Sequence, residues 1–317
     1  MTRAVVFAYH NVGARCLRVL RAHDVDVPLV ITHEDDPAEA LWFERAADVA
    51  ADLGLPCIAP ADANAPEVFA RVAALAPDFL FSFYYRRMLK APLLAVAPRG
   101  ALNKHGSLLP HYRGRAPVNW AVLHGERHTG ATLHYMADKP DAGDIVAQQA
   151  VPILPDDTAR EVFDKVTVAA EICLDRVLPA LVAGTAPRRP NDIARGSYFG
   201  GRTPEDGRID WSRSAAEIHN LVRAVAPPYP GAFTSLAGVP ARVLRSRVLD
   251  AGAPAGTPML SIEREPPLVP AAEGADVLVA RCGGGGTLRI ADLELEGRRV
   301  SAAALLSRFG NTALPLG

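Results

Sequence analysis

Two patterns of apolar residues follow each other in turn along the first half of the chain. Short runs of consecutive apolar residues predict buried strands at Ala4–Ala8, Val27–Thr32, Pro56–Ala59, Phe79–Phe83 and Gly100–Asn103. Between them, apolar residues recur every three or four positions and predict helices at Ala14–Ala22, Ala38–Leu53 and Ala65–Leu75. Strands that alternate with helices are typical of a mostly parallel sheet with crossover helices, so we predict an α/β domain.

A long helix is predicted to follow two further strands, Thr129–Met136 and Ile145–Val151. Thr158 and Glu161 have the spacing of a capping box and mark its start. Gly184 is a suitable stop. The predicted core face of this helix consists of apolar residues spaced by three and four, namely Val162, Val166, Ala169, Cys173 and Val177.

The last third of the chain has a different pattern. Residues 183–207 are rich in Arg, Pro, Gly and Asp and predict an extended linker. After a helix at Ala215–Ala226, short strands are predicted at Phe233–Leu236, Ala241–Leu249, Asp276–Ala280 and Leu288–Leu293, with Gly283–Gly286 as a hairpin turn. A chain of 317 residues exceeds the usual size of one core. We therefore predict two domains, residues 1–203 and a small, mostly β domain at residues 204–317.

Composition and charge narrow the possible functions. The formal net charge is −1 and no basic run is present, which argues against a nucleic-acid binder. No apolar run reaches membrane-spanning length and the N-terminus lacks a signal-peptide pattern, so we expect no membrane insertion and a cytoplasmic location. The four cysteines are scattered and are predicted to be small buried hydrophobic residues. Only Gly13 follows the first strand, which disfavours a nicotinamide enzyme.

Candidate chemistry lies in the stretch ALNKHGSLLP, residues 101–110. In an extended segment Asn103 and His105 project to the same face, while Lys104 points to the other. They stand at the carboxyl end of a predicted strand, where α/β sheets bind ligands. Asp141 is the favoured carboxylate to orient the histidine, with Asp138 and Asp144 as alternatives in the same loop. An amide, an imidazole and a carboxylate suit acyl transfer to an amine.

The run NKHGSLLPHYRGRAPVNWAVLHGERHTGATLHYMADKPDAGDIVAQ resembles the 10-formyltetrahydrofolate-dependent formyltransferases. The shared pattern is Asn-x-His, Ser-Leu-Leu-Pro, Tyr-Arg-Gly and a later Asp-x-Gly. The resemblance extends through FSFYYRRML, GRTPEDGRIDW and HNLVRAVAPPYPGAF, and so covers nearly the whole chain. It implies a Rossmann-like formyltransferase domain followed by a small β-barrel domain similar to an OB-fold.

The resemblance also implies roles for individual residues. Asn103 would stabilise the tetrahedral oxyanion, His105 would donate and accept the proton, and Asp141 would raise the pKa of His105. The co-substrate 10-formyltetrahydrofolate would donate the formyl group without a metal, and its predicted contacts are Arg87, Met88, Leu89, Arg115, Ala137, Asp138, Lys139, Pro140 and Asp141. Lys104 departs from the family, which usually has an apolar residue there, and we expect its side chain to be solvated.

Within this family the chain most resembles the enzymes that formylate UDP-4-amino-4-deoxy-L-arabinose, a step in lipid A modification and polymyxin resistance. Residues 115–120, Arg-Ala-Pro-Val-Asn-Trp, have the form found in those enzymes, whereas methionyl-tRNA formyltransferases usually have Ala-Ala-Pro-Ile-Gln. Residues 204–317 contain twelve Arg, no Lys and twelve acidic residues, and such a balance does not favour tRNA. The alternatives are a methionyl-tRNA formyltransferase, formylation of another nucleotide-linked amino sugar, a formyl hydrolase and a binding module without catalysis.

Overall fold

A computed structural model of the chain describes residues 1–36, 41–265, 275–310 and 312–317. Contacts divide the chain into two compact units. The first comprises residues 1–118, 128–152 and 163–201, and the second comprises residues 119–127, 153–162 and 202–317. Each unit has a sheet of its own, as the two predicted patterns require.

The first unit is built on a seven-stranded sheet. Its strands are β1 (Arg3–Ala8), β2 (Asp26–Ile31), β3 (Cys57–Ile58), β4 (Phe79–Phe83), β5 (Ala101–His105), β7 (His128–Tyr135) and β8 (Ile145–Pro152), and a separate pair is formed by β6 (Arg113–Gly114) and β9 (Tyr198–Phe199). The order in the sheet is β3-β2-β1-β4-β5-β7-β8. All pairs from β3 to β5 are parallel, and β7 and β8 are antiparallel to their neighbours. This is the predicted mostly parallel, Rossmann-like arrangement.

Helices occupy the crossovers between these strands. They are α1 (His10–Ala22), α2 (Ala46–Asp52), α3 (Pro66–Ala74), α4 (Ala91–Leu94), α5 (Pro117–Leu123) and α6 (Ala159–Ala183). Most of α5 and the first turn of α6 belong to the second unit. The prediction of a helix at Ala38–Leu53 is wrong for residues 41–45, which are irregular, and its residues 38–40 lie outside the described residues. Pro66 occupies the first turn of α3, where proline's missing N–H is tolerated.

Helix α6 begins as its sequence predicts. The Glu161 N–H donates to Thr158 Oγ1 at 3.3 Å, and the Thr158 N–H donates to a Glu161 carboxylate oxygen at 2.7 Å, which completes the capping box. The predicted apolar face is buried throughout, from Val162 (0% exposed) to Val177 (8%). Gly184 follows the last turn with φ +75°, a left-handed conformation that glycine adopts without strain.

The second unit is an antiparallel, nearly closed barrel. Its strands β10 (Ala232–Leu236), β11 (Val239–Asp250), β12 (Met259–Glu265), β13 (Ala275–Arg281), β14 (Thr287–Leu295) and β16 (Leu314–Pro315) follow the order β10-β11-β14-β13-β12-β16, with β15 (Arg298–Arg299) beside β14. A bridge between Leu236 and Leu316 links the two ends. Helices α7 (Ala215–Val225) and α8 (Ala302–Phe309) complete the unit. Its core includes Trp211, Ile218 and Leu278.

The sequence predicts the turn between β13 and β14 but not strand β12. Gly283–Gly286 joins β13 to β14, which confirms a hairpin turn and excludes a phosphate-binding loop before a helix. The sequence does not predict strand β12, because Ser261 and the consecutive charged residues 263–265 interrupt its apolar run. Among the described residues, no helix combines the length and apolar character needed to cross a membrane.

Candidate active site

Strand β5 carries Asn103 and His105 on one face of the sheet at its carboxyl end, as the period of a strand requires. Lys104 lies on the opposite face, and its backbone pairs regularly with Phe83 on β4 and Leu133 on β7. The expectation of a solvated Lys104 is wrong, because its side chain is only 1% exposed. A central strand of an α/β sheet is covered on both faces, so neither face offers water to a long side chain. The pairing register of the strand has no shift on either side.

Asp141 reaches the same place from the loop between β7 and β8. It has φ +51°, a left-handed conformation that costs energy for a residue with a side chain. Its position is held by the Gly114 N–H, which donates to Oδ2 at 2.9 Å, and by the Asn191 amide, which donates to its main-chain oxygen at 2.9 Å. Of the two alternative carboxylates, Asp138 is exposed and Asp144 pairs with Arg188 at 2.7 Å.

Asn103, His105 and Asp141 are therefore neighbours. Asp141 Oδ1 lies 3.4 Å from Asn103 Nδ2 and 3.5 Å from His105 Nδ1. A fourth side chain, His134, completes the group, because its Nε2 lies 3.2 Å from Asn103 Nδ2 and 3.5 Å from Asp141 Oδ1. The side chains of His105, Asp141 and His134 are 7%, 12% and 1% exposed, so charges in this group are poorly screened by water.

The hydrogen bonds of His105 determine which nitrogen is available for proton transfer. Its Nε2 lies 2.7 Å from the main-chain oxygen of Tyr112, and a carbonyl oxygen can only accept, so Nε2 carries a hydrogen. Nδ1 is then the nitrogen that gains or loses a proton, and it faces Asp141. Tyr112 itself adopts φ +57°, which turns its carbonyl within a tight loop.

Burial and charge act in opposite directions on these groups. Burial lowers the pKa of His105, while the facing carboxylate of Asp141 raises it, and the net shift is downward. Burial also opposes ionisation of Asp141, but the imidazole of His105 and the Gly114 N–H act against burial, and the Asp141 pKa lies well below its usual range. At neutral pH the site thus contains a carboxylate beside an imidazole that is neutral and able to accept a proton.

The predicted folate contacts occupy two segments with different exposure. Arg87 and Met88 are exposed after β4, whereas Leu89 is 3% exposed and packs in the core of the first unit. The Leu89 side chain is therefore part of the core and not an open ligand contact. Arg115 is exposed. In the loop after β7, Ala137, Asp138 and Lys139 are exposed and Pro140 and Asp141 are half-buried.

Three residues of the site were not found from the sequence. His134 stands opposite Asn103 in the antiparallel pairing of β5 with β7, a register that no local pattern reveals. Asn191 comes from the segment predicted as a linker, and Tyr112 contributes only its backbone. The position of His134 could have indicated it, because His134 lies near the end of the predicted strand Thr129–Met136, directly before the candidate loop.

This arrangement can polarise a carbonyl and move one proton. Asn103 offers amide hydrogens to a developing oxyanion, and His105 Nδ1 can accept a proton from a nucleophile and return it to a leaving group. Ser107 donates to the main-chain oxygen of His111 at 2.6 Å and has no base beside it among these contacts. Within the described ranges, no group of three or more His, Cys, Asp or Glu side chains is placed to hold a metal ion.

An amide, an imidazole and a carboxylate at the carboxyl end of a sheet strand are suited to the transfer of an acyl or formyl group. The family description "Formyl transferase" matches residues 4–178, and "Formyl transferase, C-terminal domain" matches residues 202–310. The chain belongs to the formyl transferase family.

Solved structures share this fold. An N-formyltransferase from Helicobacter canadensis, crystallised with folinic acid and dTDP-3-aminofucose, has a TM-score of 0.70 at 18% identity over 92% of this chain and 99% of its own. WlaRD, a sugar 3N-formyltransferase crystallised with dTDP and 5-N-formyl-THF, has a TM-score of 0.68 at 17% identity, over 94% and 99%. HypX from Aquifex aeolicus, in complex with tetrahydrofolic acid, has a TM-score of 0.61 at 17% identity, over 97% of this chain and 47% of its own.

Proposed function

We propose that this enzyme transfers the formyl group of 10-formyltetrahydrofolate to the amino group of a nucleotide-linked amino sugar, and specifically to the 4-amino group of UDP-4-amino-4-deoxy-L-arabinose. The observation that carries the proposal is the convergence of Asn103, His105 and Asp141 in a chain of the formyl transferase family. The similar structures support it, since two of them are sugar N-formyltransferases crystallised with a folate and with a dTDP sugar or dTDP.

The proposed reaction uses the groups of the site that donate hydrogen bonds and transfer a proton. The neutral amine of the sugar attacks the formyl carbon, and its new C–N bond places negative charge on the formyl oxygen, which Asn103 stabilises. His105 Nδ1 accepts a proton from the attacking nitrogen and returns it to N10 of the folate as the C–N10 bond breaks. The Asp141 carboxylate stabilises the imidazolium between these two steps. The products are the formamide and tetrahydrofolate.

The charge of the second unit supports a small acceptor over tRNA. At least seven of the twelve arginines in residues 204–317 form salt bridges with carboxylates of the same unit, and these are Arg208, Arg213, Arg242, Arg245, Arg247, Arg299 and Arg308. Arginines that are paired with carboxylates attract the phosphates of tRNA only weakly, and binding of a phosphate backbone normally uses several unpaired cations. A nucleotide sugar needs only a few directed contacts to its pyrophosphate.

A panel of acceptors tests the proposal. The protein is incubated with 10-formyltetrahydrofolate and, separately, with UDP-4-amino-4-deoxy-L-arabinose, dTDP-linked 3-amino and 4-amino sugars, and methionyl-tRNA, and each acceptor is examined by mass spectrometry. We expect the arabinose substrate to gain one formyl group, and the Asn103→Ala variant to form it far more slowly. Formylation of a dTDP sugar alone would show that the proposed sugar and nucleotide are wrong. Release of formate without a formylated acceptor would show that the enzyme is a hydrolase and not a transferase.

A further inference from the structure

His134 is the one member of the four-residue group to which the proposed reaction gives no task. It is 1% exposed and lies on β7 directly opposite Asn103. A buried imidazole must satisfy both ring nitrogens, so its hydrogen bonds fix the position of its proton. Its partners therefore determine whether it donates to Asn103 or accepts from it.

The tautomer of His134 follows from its own backbone. Nδ1 lies 2.8 Å from the main-chain oxygen of Tyr135, which can only accept, so Nδ1 carries the hydrogen. In the neutral imidazole Nε2 is then an acceptor. Nε2 is closer to Asn103 Nδ2, at 3.2 Å, than to Asp141 Oδ1, at 3.5 Å. The amide hydrogens of Asn103 are the donors available to these two acceptors, and they fix the amide with its nitrogen toward His134.

The same distances show that both groups face the amide nitrogen of Asn103. Asn103 Nδ2, His134 Nε2 and Asp141 Oδ1 form a triangle with sides of 3.2, 3.4 and 3.5 Å. Both acceptors therefore lie about 60° apart as seen from Nδ2, on the nitrogen side of the amide. Together they hold the amide in this orientation.

We infer that His134 is a positioning residue, which together with Asp141 holds the amide nitrogen of Asn103 and so keeps the amide from turning its oxygen toward the developing oxyanion. This inference rests on the proposed function for its catalytic consequence. Without the Nε2 acceptor, the amide of Asn103 can rotate by half a turn and present its own oxygen, which would repel the developing oxyanion. The loss should appear in the transition state more than in substrate binding.

Kinetics of five variants, one of them the Asn103→Ala background itself, test this role. His134→Phe, which keeps a flat ring without the acceptor, should lower kcat roughly 10- to 100-fold with little change in KM, by analogy with the loss of one oxyanion donor. His134→Gln, whose side-chain oxygen can accept in place of Nε2, should recover a large part of that loss. In an Asn103→Ala background, His134→Phe should cost less than about threefold, because it acts through Asn103. His219→Phe is the matched control.

The control separates positioning from folding. His219 is also buried, at 5% exposed, and hydrogen-bonds through both nitrogens to Ser246 and Pro155, far from the residues of this site in the chain. We expect His219→Phe to lower stability and leave kcat unchanged. Equal losses of kcat for His134→Phe in the wild-type and Asn103→Ala backgrounds would overturn the inference, as would a rise in KM that accounts for the whole effect.

A second measurement does not depend on activity. In the ¹⁵N-labelled protein at pH 8, above the usual titration range of imidazole, the two-bond ¹H–¹⁵N correlations of His134 should show a protonated Nδ1 and an unprotonated Nε2. A hydrogen on Nε2 would overturn the inference, whether or not the His134 variants fold. If the wild-type protein formylates none of the amino sugars, the proposed function fails, and the tautomer still decides whether His134 fixes the amide.

Discussion

Replacing Lys104 by methionine is expected to stabilise the first unit and leave catalysis intact. Lys104 follows Asn103 directly, but its side chain leaves β5 on the opposite face and is 1% exposed. Within the described residues, its Nζ has no hydrogen-bond partner. The surroundings are dry enough that burial raises the pKa of the nearby Cys16 thiol to about 12.

The magnitude follows from the cost of an unsatisfied buried amine. Burial of a polar group without a partner costs about 1–3 kcal/mol in protein mutational data. Methionine has a similar unbranched shape, and a volume-conserving replacement costs less than about 1.5 kcal/mol of repacking. We therefore expect Lys104→Met to raise the free energy of unfolding by about 1–2 kcal/mol. For a unit of this size, the transition should rise by about 2–8 °C.

Differential scanning calorimetry of the wild type, Lys104→Met and Lys90→Met measures this effect. Lys90 is exposed, so its replacement should change the free energy of unfolding by no more than about 0.5 kcal/mol. The kcat of Lys104→Met should equal that of the wild type. A loss of stability in Lys104→Met would refute the reasoning, because it would mean that the amine makes a favourable interaction in the folded protein.

Further predictions concern the site and its surroundings. Asn103→Ala and His105→Ala should each lower kcat by roughly a hundredfold or more. The double variant should lose much less than the product of the two single losses, because the residues act as one unit, and steady-state kinetics with the amino sugar measures all three values. Because the Asp141 carboxylate raises the His105 pKa, Asp141→Asn should move the acidic limb of the kcat/KM profile to lower pH, and an unmoved limb would make Asp141 a structural turn residue. Burial and the charges of Arg87 and Arg86 lower the pKa of His33 to about 4. Its NMR titration midpoint should rise in Arg87→Gln, and its contribution to stability should be lost as pH falls from about 6.5 toward 4, since the unfolded state binds the proton more readily.

The parts of the fold that local patterns determine were predicted from the sequence. Alternation of apolar strands and amphipathic helices gave the parallel sheet, and the Thr158–Glu161 capping box marked the start of α6. The pairing of Asn103 with His105 on one face required only the period of a strand. Predictions of exposure were wrong where burial depends on residues distant in sequence. Lys104 is the example, because the parts of the chain that cover its face of the sheet cannot be read from the residues next to it.

The carboxylate and the fourth residue of the site show the same limit. The residues alone left Asp138, Asp141 and Asp144 as candidates, and the fold separates them by placing only the second beside His105. His134 depends on the antiparallel register of β5 with β7, which aligns it with Asn103 across 31 positions of sequence. A sequence pattern reports neighbours along one strand, whereas a site assembles neighbours across strands.

The central claim is that the formyl group passes from the folate to a nucleotide-linked amino sugar, and a direct comparison of acceptors tests it. The kcat/KM values for UDP-4-amino-4-deoxy-L-arabinose and for methionyl-tRNA are measured at the same concentration of 10-formyltetrahydrofolate and at two salt concentrations, since salt weakens tRNA binding steeply. The account predicts one tetrahydrofolate released per formylated sugar and a much larger kcat/KM for the sugar at physiological salt. A larger value for methionyl-tRNA, or tetrahydrofolate released without a formylated sugar, would contradict it.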